Sequence, residues 1–197
     1  MAQMRSLSLL AGLPLLALAG CLSFGEKPPP ELIRLTSAES APAGTAAAVS
    51  AGSAVTVMVP ASPAEIATTR VPVRSGDTAL AYLKGAQWSD IPARLFRDLL
   101  AETIRARTGR PTLDGRDYHL APGPRLMGRI EQFGLDAGSM QVVMVYDATI
   151  DRGENSLETR RFEAHAPARN ATEAGVAPGL NSVANQVAGQ IVDWMGK

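Results

Sequence analysis

The stretch MQVVMVYDATID, residues 140–151, decides the fold. Its apolar side chains recur at every second position, and successive side chains of a strand point to opposite faces. One predicted face carries Met140, Val142, Met144, Tyr146, Ala148 and Ile150. Val143 and Val145 are apolar on the opposite face. The pattern therefore predicts a central strand that is covered on both sides in its first half.

The segments that flank this strand predict an antiparallel meander. Residues 125–136 precede it, with a turn at Ala137-Gly138. Residues 157–166 follow it, after a turn at residues 152–155 that contains glycine and asparagine. The last of the three strands is more polar, which favours a place nearer the edge of the sheet.

Shorter strands are predicted ahead of the meander, at residues 31–35, 54–59 and 79–88. Residues 69–74 also alternate, but proline has no N–H to donate, so Pro72 restricts that segment to an edge or a bulge. Residues 36–53 are rich in Ala, Ser and Gly, and this composition predicts a flexible loop.

Two amphipathic helices complete the predicted domain. The first covers residues 90–108, with Ser89 or Asp90 as the cap, and its apolar face is formed by Leu95, Phe96, Leu99, Leu100, Thr103 and Ile104. The second covers residues 178–195, because Pro178 suits a first helical turn. Strands, a helix, a meander and a terminal helix predict a layered α/β domain over residues 31–197.

The N-terminus carries the most specific signal of the chain. Arg5 precedes an apolar run at residues 7–19, which is shorter than the roughly 20 residues that span a membrane. Leu18, Ala19 and Gly20 then lead into Cys21, the single cysteine. This order resembles the lipobox of bacterial lipoproteins, which implies cleavage of residues 1–20 as a signal peptide and acylation of Cys21.

Two alternatives to lipidation remain open at this point. They are an ordinary secretory signal with an incidental Cys21, and a buried N-terminal helix.

Residues 21–30 contain Pro28-Pro29-Pro30, which favours an extended tether between the anchor and the domain. In Gram-negative lipoproteins, an aspartate after the cysteine resembles an inner-membrane retention signal; here Leu22 favours the outer membrane, facing the periplasm.

Composition limits the classes of function. A net formal charge of zero and the absence of a basic cluster argue against nucleic acid as a partner. His119 and His165 lie in unrelated contexts and have no cysteine spaced to share a metal. Asp147 and Asp151 are expected to be solvated turn carboxylates rather than an acid and base pair. We therefore predict no catalytic residue, no metal and no cofactor.

Aromatic residues offer a further candidate site. Trp88 lies in a predicted turn between a strand and the first helix, where an exposed indole could contact a partner protein. The alternative is a buried aromatic side chain that packs a helix onto the sheet. The sequence leaves open whether the chain also forms a homo-oligomer.

Taken together, the segments resemble the ABC-type transport auxiliary lipoprotein family, which includes the paraquat-inducible protein C lipoproteins. The matching features, in chain order, are Cys21, Leu32-Ile33-Arg34-Leu35, Val55-Thr56-Val57 leading to Pro60, Ile66 to Val73, the run from Ala81 to Asp90 that enters the helix through Leu99, Phe133, residues 140–150, Arg161-Phe162-Glu163-Ala164 and a terminal helix that ends at Trp194. The resemblance implies a three-layer α/β sandwich with a mixed, largely antiparallel sheet, a central amphipathic helix and a C-terminal helix.

The resemblance also implies a role without catalysis. Such a protein would be held in the outer membrane by its N-terminal acyl chains. It would serve as the docking component for an ABC permease, its ATPase and a substrate-binding protein of the mammalian-cell-entry type, in lipid transport across the periplasm. The alternatives are a lipid carrier that encloses an acyl chain, a small periplasmic hydrolase that uses a histidine, and a structural envelope lipoprotein.

Overall fold

The computed structural model describes residues 31–46, 48–50, 52–153 and 156–196. The predicted signal peptide, Cys21 and the tether lie outside the described residues. The elements in chain order are β1 Val55–Val57, β2 Arg70–Ser75, β3 Ala79–Gln87, α1 Pro92–Thr108, β4 Thr112–Asp114, a 3₁₀ helix Gly115–Leu120, β5 Arg125–Asp136, β6 Gln141–Asp151, β7 Leu157–Pro167 and α2 Glu173–Met195.

The strands form one curled, mixed sheet. β6 lies between β5 and β7 and is antiparallel to both, as the meander predicts. The other edge of β5 pairs in parallel with β1 near its start and with β2 near its end, and β3 and β4 lie outside these two. The predicted α/β class is confirmed, with a mixed sheet, an amphipathic helix in the middle and a helix at the C-terminus.

Both helices pack against the same face of β6. Phe96 of α1 lies with its ring centroid 5.1 Å from that of Tyr146. In α2, a Cβ placed on Gly179 would come within 2.8 Å of Val142 Cγ2, so the glycine permits a close approach of helix and strand. The inward residues of β6 are at most 1% exposed. The two helices and the curled sheet thus enclose a single core.

The opposite face of β6 changes character along the strand. Val143 is 5% exposed and Val145 is half-buried, whereas Asp147 and Thr149 reach partly into solvent. The predicted cover on both sides is therefore found only at the start of the strand. Met140 has a φ of +52°, in the left-handed region, so it belongs to the turn and the strand begins at Gln141.

Two predicted strands differ from the structure. Residues 31–35 form only a single parallel bridge, between Ile33 and Trp88. β2 is not an edge strand, because it pairs with β3 on one side and with β5 on the other. The sheet tolerates Pro72 because the β2–β3 register shifts between Arg70 and Pro72, which is the bulge that the sequence offered as an alternative.

The helix limits also differ from prediction. α1 begins at Pro92 without a side-chain cap, and Asp90 Oδ1 instead accepts the Ile91 N–H at 2.7 Å. α2 begins five residues before Pro178, because Thr172 Oγ1 caps it by accepting the Gly175 N–H at 3.2 Å. Pro178 is exposed, so water can bond the carbonyl that its missing N–H leaves free. Within the described part of the chain, neither helix is long and apolar enough to cross a membrane.

Candidate functional site

The chain enters the domain beside Trp88. The Ile33 N–H donates to the Gln87 carbonyl at 2.8 Å, and the Ser89 N–H donates to the Ile33 carbonyl at 2.9 Å. On the other side of this backbone, the Trp88 N–H donates to the Thr69 carbonyl at 2.8 Å. Ile33 therefore occupies the edge that faces away from β2, and the predicted tether would reach the domain at this point.

Trp88 itself is not exposed, which corrects the prediction of a partner-facing indole. It is 1% exposed, and its ring centroid lies 5.1 Å from that of Phe133. Backbone from Ile33 and Thr69 flanks Trp88 on both sides and leaves the indole in the core. The structure agrees with the alternative, a buried aromatic that packs against the sheet. The sequence gives no sign that Ile33 covers Trp88, because the two residues are far apart along the chain.

Residues 33–41, which we call the strap, run from Trp88 across α2. The Thr36 N–H donates to Asn181 Oδ1 at 2.8 Å, and the Ala38 N–H donates to Asn185 Oδ1 at 2.7 Å. Asn185 Nδ2 in turn donates to the Thr36 carbonyl at 2.9 Å. The two asparagines are four residues apart and hence lie on one side of α2, where they hold the strap backbone.

The strap also contacts α1. The Ala41 N–H donates to Glu102 Oε1 at 2.8 Å, and the Ser37 and Thr103 hydroxyl oxygens lie 3.2 Å apart. Glu39 accepts hydrogen bonds from the Arg107 guanidinium at 2.7 and 2.9 Å. The bond to Glu39 raises the pKa of Arg107. Hydrogen bonds from Arg105 and from the Ala41 backbone lower the pKa of Glu102.

The sequence did not predict this attachment. It predicts a flexible loop from residue 36 onward because Ala, Ser and Gly carry no apolar pattern. The partners are helix side chains of ordinary polar type, and only the packing of α1 against α2 brings Asn181, Glu102 and Arg107 beneath one extended segment.

The solvent-facing side of the meander is a second surface, which we call the outer sheet face. Its members are Arg129, Asp147, Thr149, Thr159, Arg161, Glu163 and His165. Arg161 donates from Nε and from a terminal guanidinium nitrogen to the two carboxylate oxygens of Asp147, each at 2.7 Å. This double hydrogen bond lowers the pKa of Asp147.

The titratable residues that the sequence singled out are not brought together. Asp151 is bound by Arg125, which lowers the pKa of its carboxyl, so both aspartates are ion-paired carboxylates rather than an acid and base pair. His165 Nε2 lies 2.6 Å from Glu163 on the outer sheet face, and His119 lies in the exposed 3₁₀ helix. No three His, Cys, Asp or Glu side chains among the described residues form a group able to hold a metal ion.

Described residues line a larger and a smaller cleft at the surface. One, of about 510 Å³, is open and lies at the β2–β3 turn, where Arg74 contacts Glu65 and Gln132 at 3.3 Å. The other, of about 210 Å³, lies between Phe162 of β7 and Trp194 of α2. The second is below the range of about 300–1,000 Å³ that is usual for ligand pockets.

These observations define an α/β domain in which Asp147 and Asp151 on the sheet are paired with arginines, His165 lies against Glu163, and the N-terminal segment is fastened across both helices. The profile of one family, described as an ABC-type transport auxiliary lipoprotein component, matches residues 35–192. The chain belongs to this family. A search among curated proteins found no match to the sequence.

Solved structures that resemble the chain have low sequence identity to it. Protein XCC0632 from Xanthomonas campestris is 18% identical with a TM-score of 0.62, and the match covers 85% of this chain and 92% of that one. An uncharacterized protein is 13% identical with a TM-score of 0.64, covering 74% and 94%. A PelC dodecamer from Paraburkholderia phytofirmans is 14% identical with a TM-score of 0.44, covering 74% and 92%.

Proposed function

We propose that this protein is a lipoprotein of the outer membrane that faces the periplasm and docks an ABC-type lipid transport system. Its partners are an ABC permease, its ATPase and a membrane-tethered substrate-binding protein of the mammalian-cell-entry type. The observation that carries the proposal is the family match over residues 35–192, in a chain that also has the order Leu18-Ala19-Gly20-Cys21 near its start.

The proposed lipid anchor at Cys21 would hold the protein at a membrane. A single acyl chain gives marginal membrane affinity, whereas two or more hold a protein stably. Lipidation of Cys21 on both its sulfur and its new amino group would therefore make release from the membrane negligible. Leu22 in place of an aspartate supports sorting to the outer membrane.

The chemistry of the domain supports docking rather than catalysis. General acids, bases and nucleophiles need groups that are available to a substrate. Here Asp147 is held by Arg161, Asp151 by Arg125, and His165 by Glu163. The ion pairs that Arg161 and Arg125 make with these carboxylates suit recognition of another protein surface, where electrostatic complementarity gives specificity.

The same structure disfavours the lipid carrier. A carrier would need room for an acyl chain between the sheet and the helices. At two places in that interface the packing is instead close: the Phe96 and Tyr146 ring centroids lie 5.1 Å apart, and the α2 backbone at Gly179 closely approaches the Val142 side chain. These contacts support a protein that acts through its surface.

Affinity purification from crosslinked envelopes tests the proposal. The tagged full-length protein should recover a substrate-binding protein of the mammalian-cell-entry type together with its permease and ATPase, and it should sediment with outer-membrane fractions. The matched control is Cys21→Ser, which should leave the domain folded but release it from the membrane. Recovery of none of the three partners from intact envelopes would count decisively against the proposal.

A further inference from the structure

We infer that the strap, residues 33–41, is a releasable section of the membrane tether, so that the domain has a short and a long reach from its anchor. The inference rests on the proposed lipid anchor at Cys21. It goes further by assigning a conformational role to a segment whose sequence predicts only a flexible loop.

The first step is the kind of contact that holds the strap. Thr36, Ala38 and Ala41 are attached through their backbone N–H groups to side chains of Asn181, Asn185 and Glu102. These bonds lie at or near the surface, where water can replace either partner. Segments with few buried apolar contacts and solvent-exposed hydrogen bonds open locally without global unfolding.

The apolar part of the attachment is small and lies at one end. Ile33 is 4% exposed, and Leu35 is only half-buried. Ile33 contributes one bridge to the edge of the sheet rather than a strand within it. Release of the strap would therefore leave the pairing of β5, β6 and β7 unchanged.

The second step is where, among the described residues, a partner distant in sequence next holds the chain. After the strap, the Gly52 N–H donates to the Pro122 carbonyl at 2.8 Å, and Arg110 donates to the Ser53 carbonyl at 3.1 Å. With the strap attached, 12 residue steps separate Cys21 from Ile33; with it released, 31 steps separate Cys21 from Gly52. At about 3.3–3.6 Å per residue, the maximum reach grows from about 40 Å to about 105 Å.

The order of release follows from the direction of pull. Tension from a lipid anchor reaches Ile33 first, and then Thr36, Ala38 and Ala41 in chain order. The first step removes the Ile33 side chain from the core and breaks its bridge to Trp88, and each later step breaks a few polar contacts, so the strap peels from one end while the sheet and both helices stay folded. The long form would let the domain meet a partner that stands farther from the membrane than the short tether allows.

Hydrogen exchange on the full-length lipidated protein tests whether the strap opens separately. The Thr36, Ala38 and Ala41 amides should exchange through a local opening, whereas amides of β6 should exchange only with global unfolding. Asn181→Ala with Asn185→Ala should speed exchange at Thr36 and Ala38 about tenfold or more. Gln186→Ala is the matched control, because among the described residues the Gln186 side chain bonds to Ser182 on the same helix and not to the strap.

The inference is overturned if strap and β6 amides exchange together, since the strap would then be part of the core. It is equally overturned if the double asparagine variant leaves hydrogen exchange in the strap unchanged. Asn181 and Asn185 would then contribute no free energy to holding the strap on α2.

A crosslink tests whether release is needed in the cell. The Ser37 and Thr103 oxygens are 3.2 Å apart, so Ser37→Cys with Thr103→Cys places two thiols where a disulfide can form. In a strain that lacks the gene for this protein, the disulfide-crosslinked variant, which we call the locked protein, should fail to restore resistance to detergent. A 20-residue insertion between Gly25 and Glu26 should restore it, because the locked tether then has about the released length. Each single cysteine variant is a control.

The outcomes separate the two claims. If the unmodified protein neither complements the strain nor recovers a transporter, the proposed function fails. If the unmodified protein complements and the locked protein complements equally well, the function stands and the releasable tether is wrong.

Discussion

β6 and the strap both contact α2, but they are held to it in opposite ways. β6 packs against the helix where Gly179 meets Val142. The strap lies across a more exposed side of the same helix, where Asn181 and Asn185 bond its backbone. Buried apolar contacts depend on the whole core being intact, whereas surface hydrogen bonds can exchange with water one at a time. One helix can therefore belong to a cooperative core and also carry a separable attachment.

Removing a core side chain should have the largest effect. Phe96 is fully buried against Tyr146, so Phe96→Ala leaves a cavity and should lower the free energy of unfolding by about 3–5 kcal/mol. Denaturant unfolding measures the change. The matched control is Leu95→Ala on the same helix, at a half-buried position, which should cost clearly less. Equal losses in the two variants would contradict the assignment of Phe96 to the core.

Overfilling the contact between α2 and β6 should have the next largest effect. Gly179→Ala places a methyl group 2.8 Å from Val142 Cγ2, and overpacking of this kind costs about 1–3 kcal/mol. The better helix propensity of alanine offsets less than about 1 kcal/mol of that loss. Thermal unfolding should show a lower Tm. Gly196→Ala, whose nearest contact is 3.8 Å, should leave Tm nearly unchanged; a gain for Gly179→Ala would show that the helix can move away.

Loosening the strap should change local rather than global stability. Asn185→Ala removes the acceptor of the Ala38 N–H and the donor to the Thr36 carbonyl. Each of these two hydrogen bonds contributes about 1 kcal/mol to the free energy that holds the strap on α2. Limited trypsin digestion should cut after the exposed Arg34 faster than in the unmodified protein, while the denaturant midpoint hardly shifts. A midpoint shift as large as that of Gly179→Ala would mean that the strap unfolds together with the core.

The smallest effect is expected on the outer sheet face. Arg161 lowers the pKa of Asp147 below the usual value of about 3.9, so the pair stabilises the fold above that pH. The contribution is lost as the pH falls through the lower pKa of the folded state. Asp147→Asn should therefore reduce stability slightly near neutral pH and converge with the unmodified protein in acid. Unfolding curves collected from about pH 2 to 7 test this; a gap that widens in acid would contradict the sign.

The meander was predictable because its pattern is local. Alternation from residue 141 to 151, with turn residues on both sides, locates β6 and its neighbours without reference to the rest of the chain. α1 was found for a similar reason, with Gly109 at φ +66° as its end. The start of α2 was missed because Pro178 is the stronger signal in sequence, and the cap at Thr172 outweighs it in the structure.

The features that depend on distant residues could not be predicted in the same way. Pro72 argues for an edge, yet β2 is flanked by β3 and β5. Trp88 resembles an exposed turn residue until Ile33 is placed beside it. In both cases the deciding partner is far along the chain, and a local pattern carries no information about it.

The sequence by itself determined the α/β class, the meander and the N-terminal order that predicts a lipid anchor at Cys21, because hydrophobic period and short motifs are written in neighbouring residues. Only the tertiary structure decided that Trp88 is buried and that residues 33–41 are fastened across α1 and α2. The physical reason is that polar side chains have no periodic signature. Asn181, Asn185 and Glu102 hold the strap only because the packing of two helices brings them beneath the same backbone.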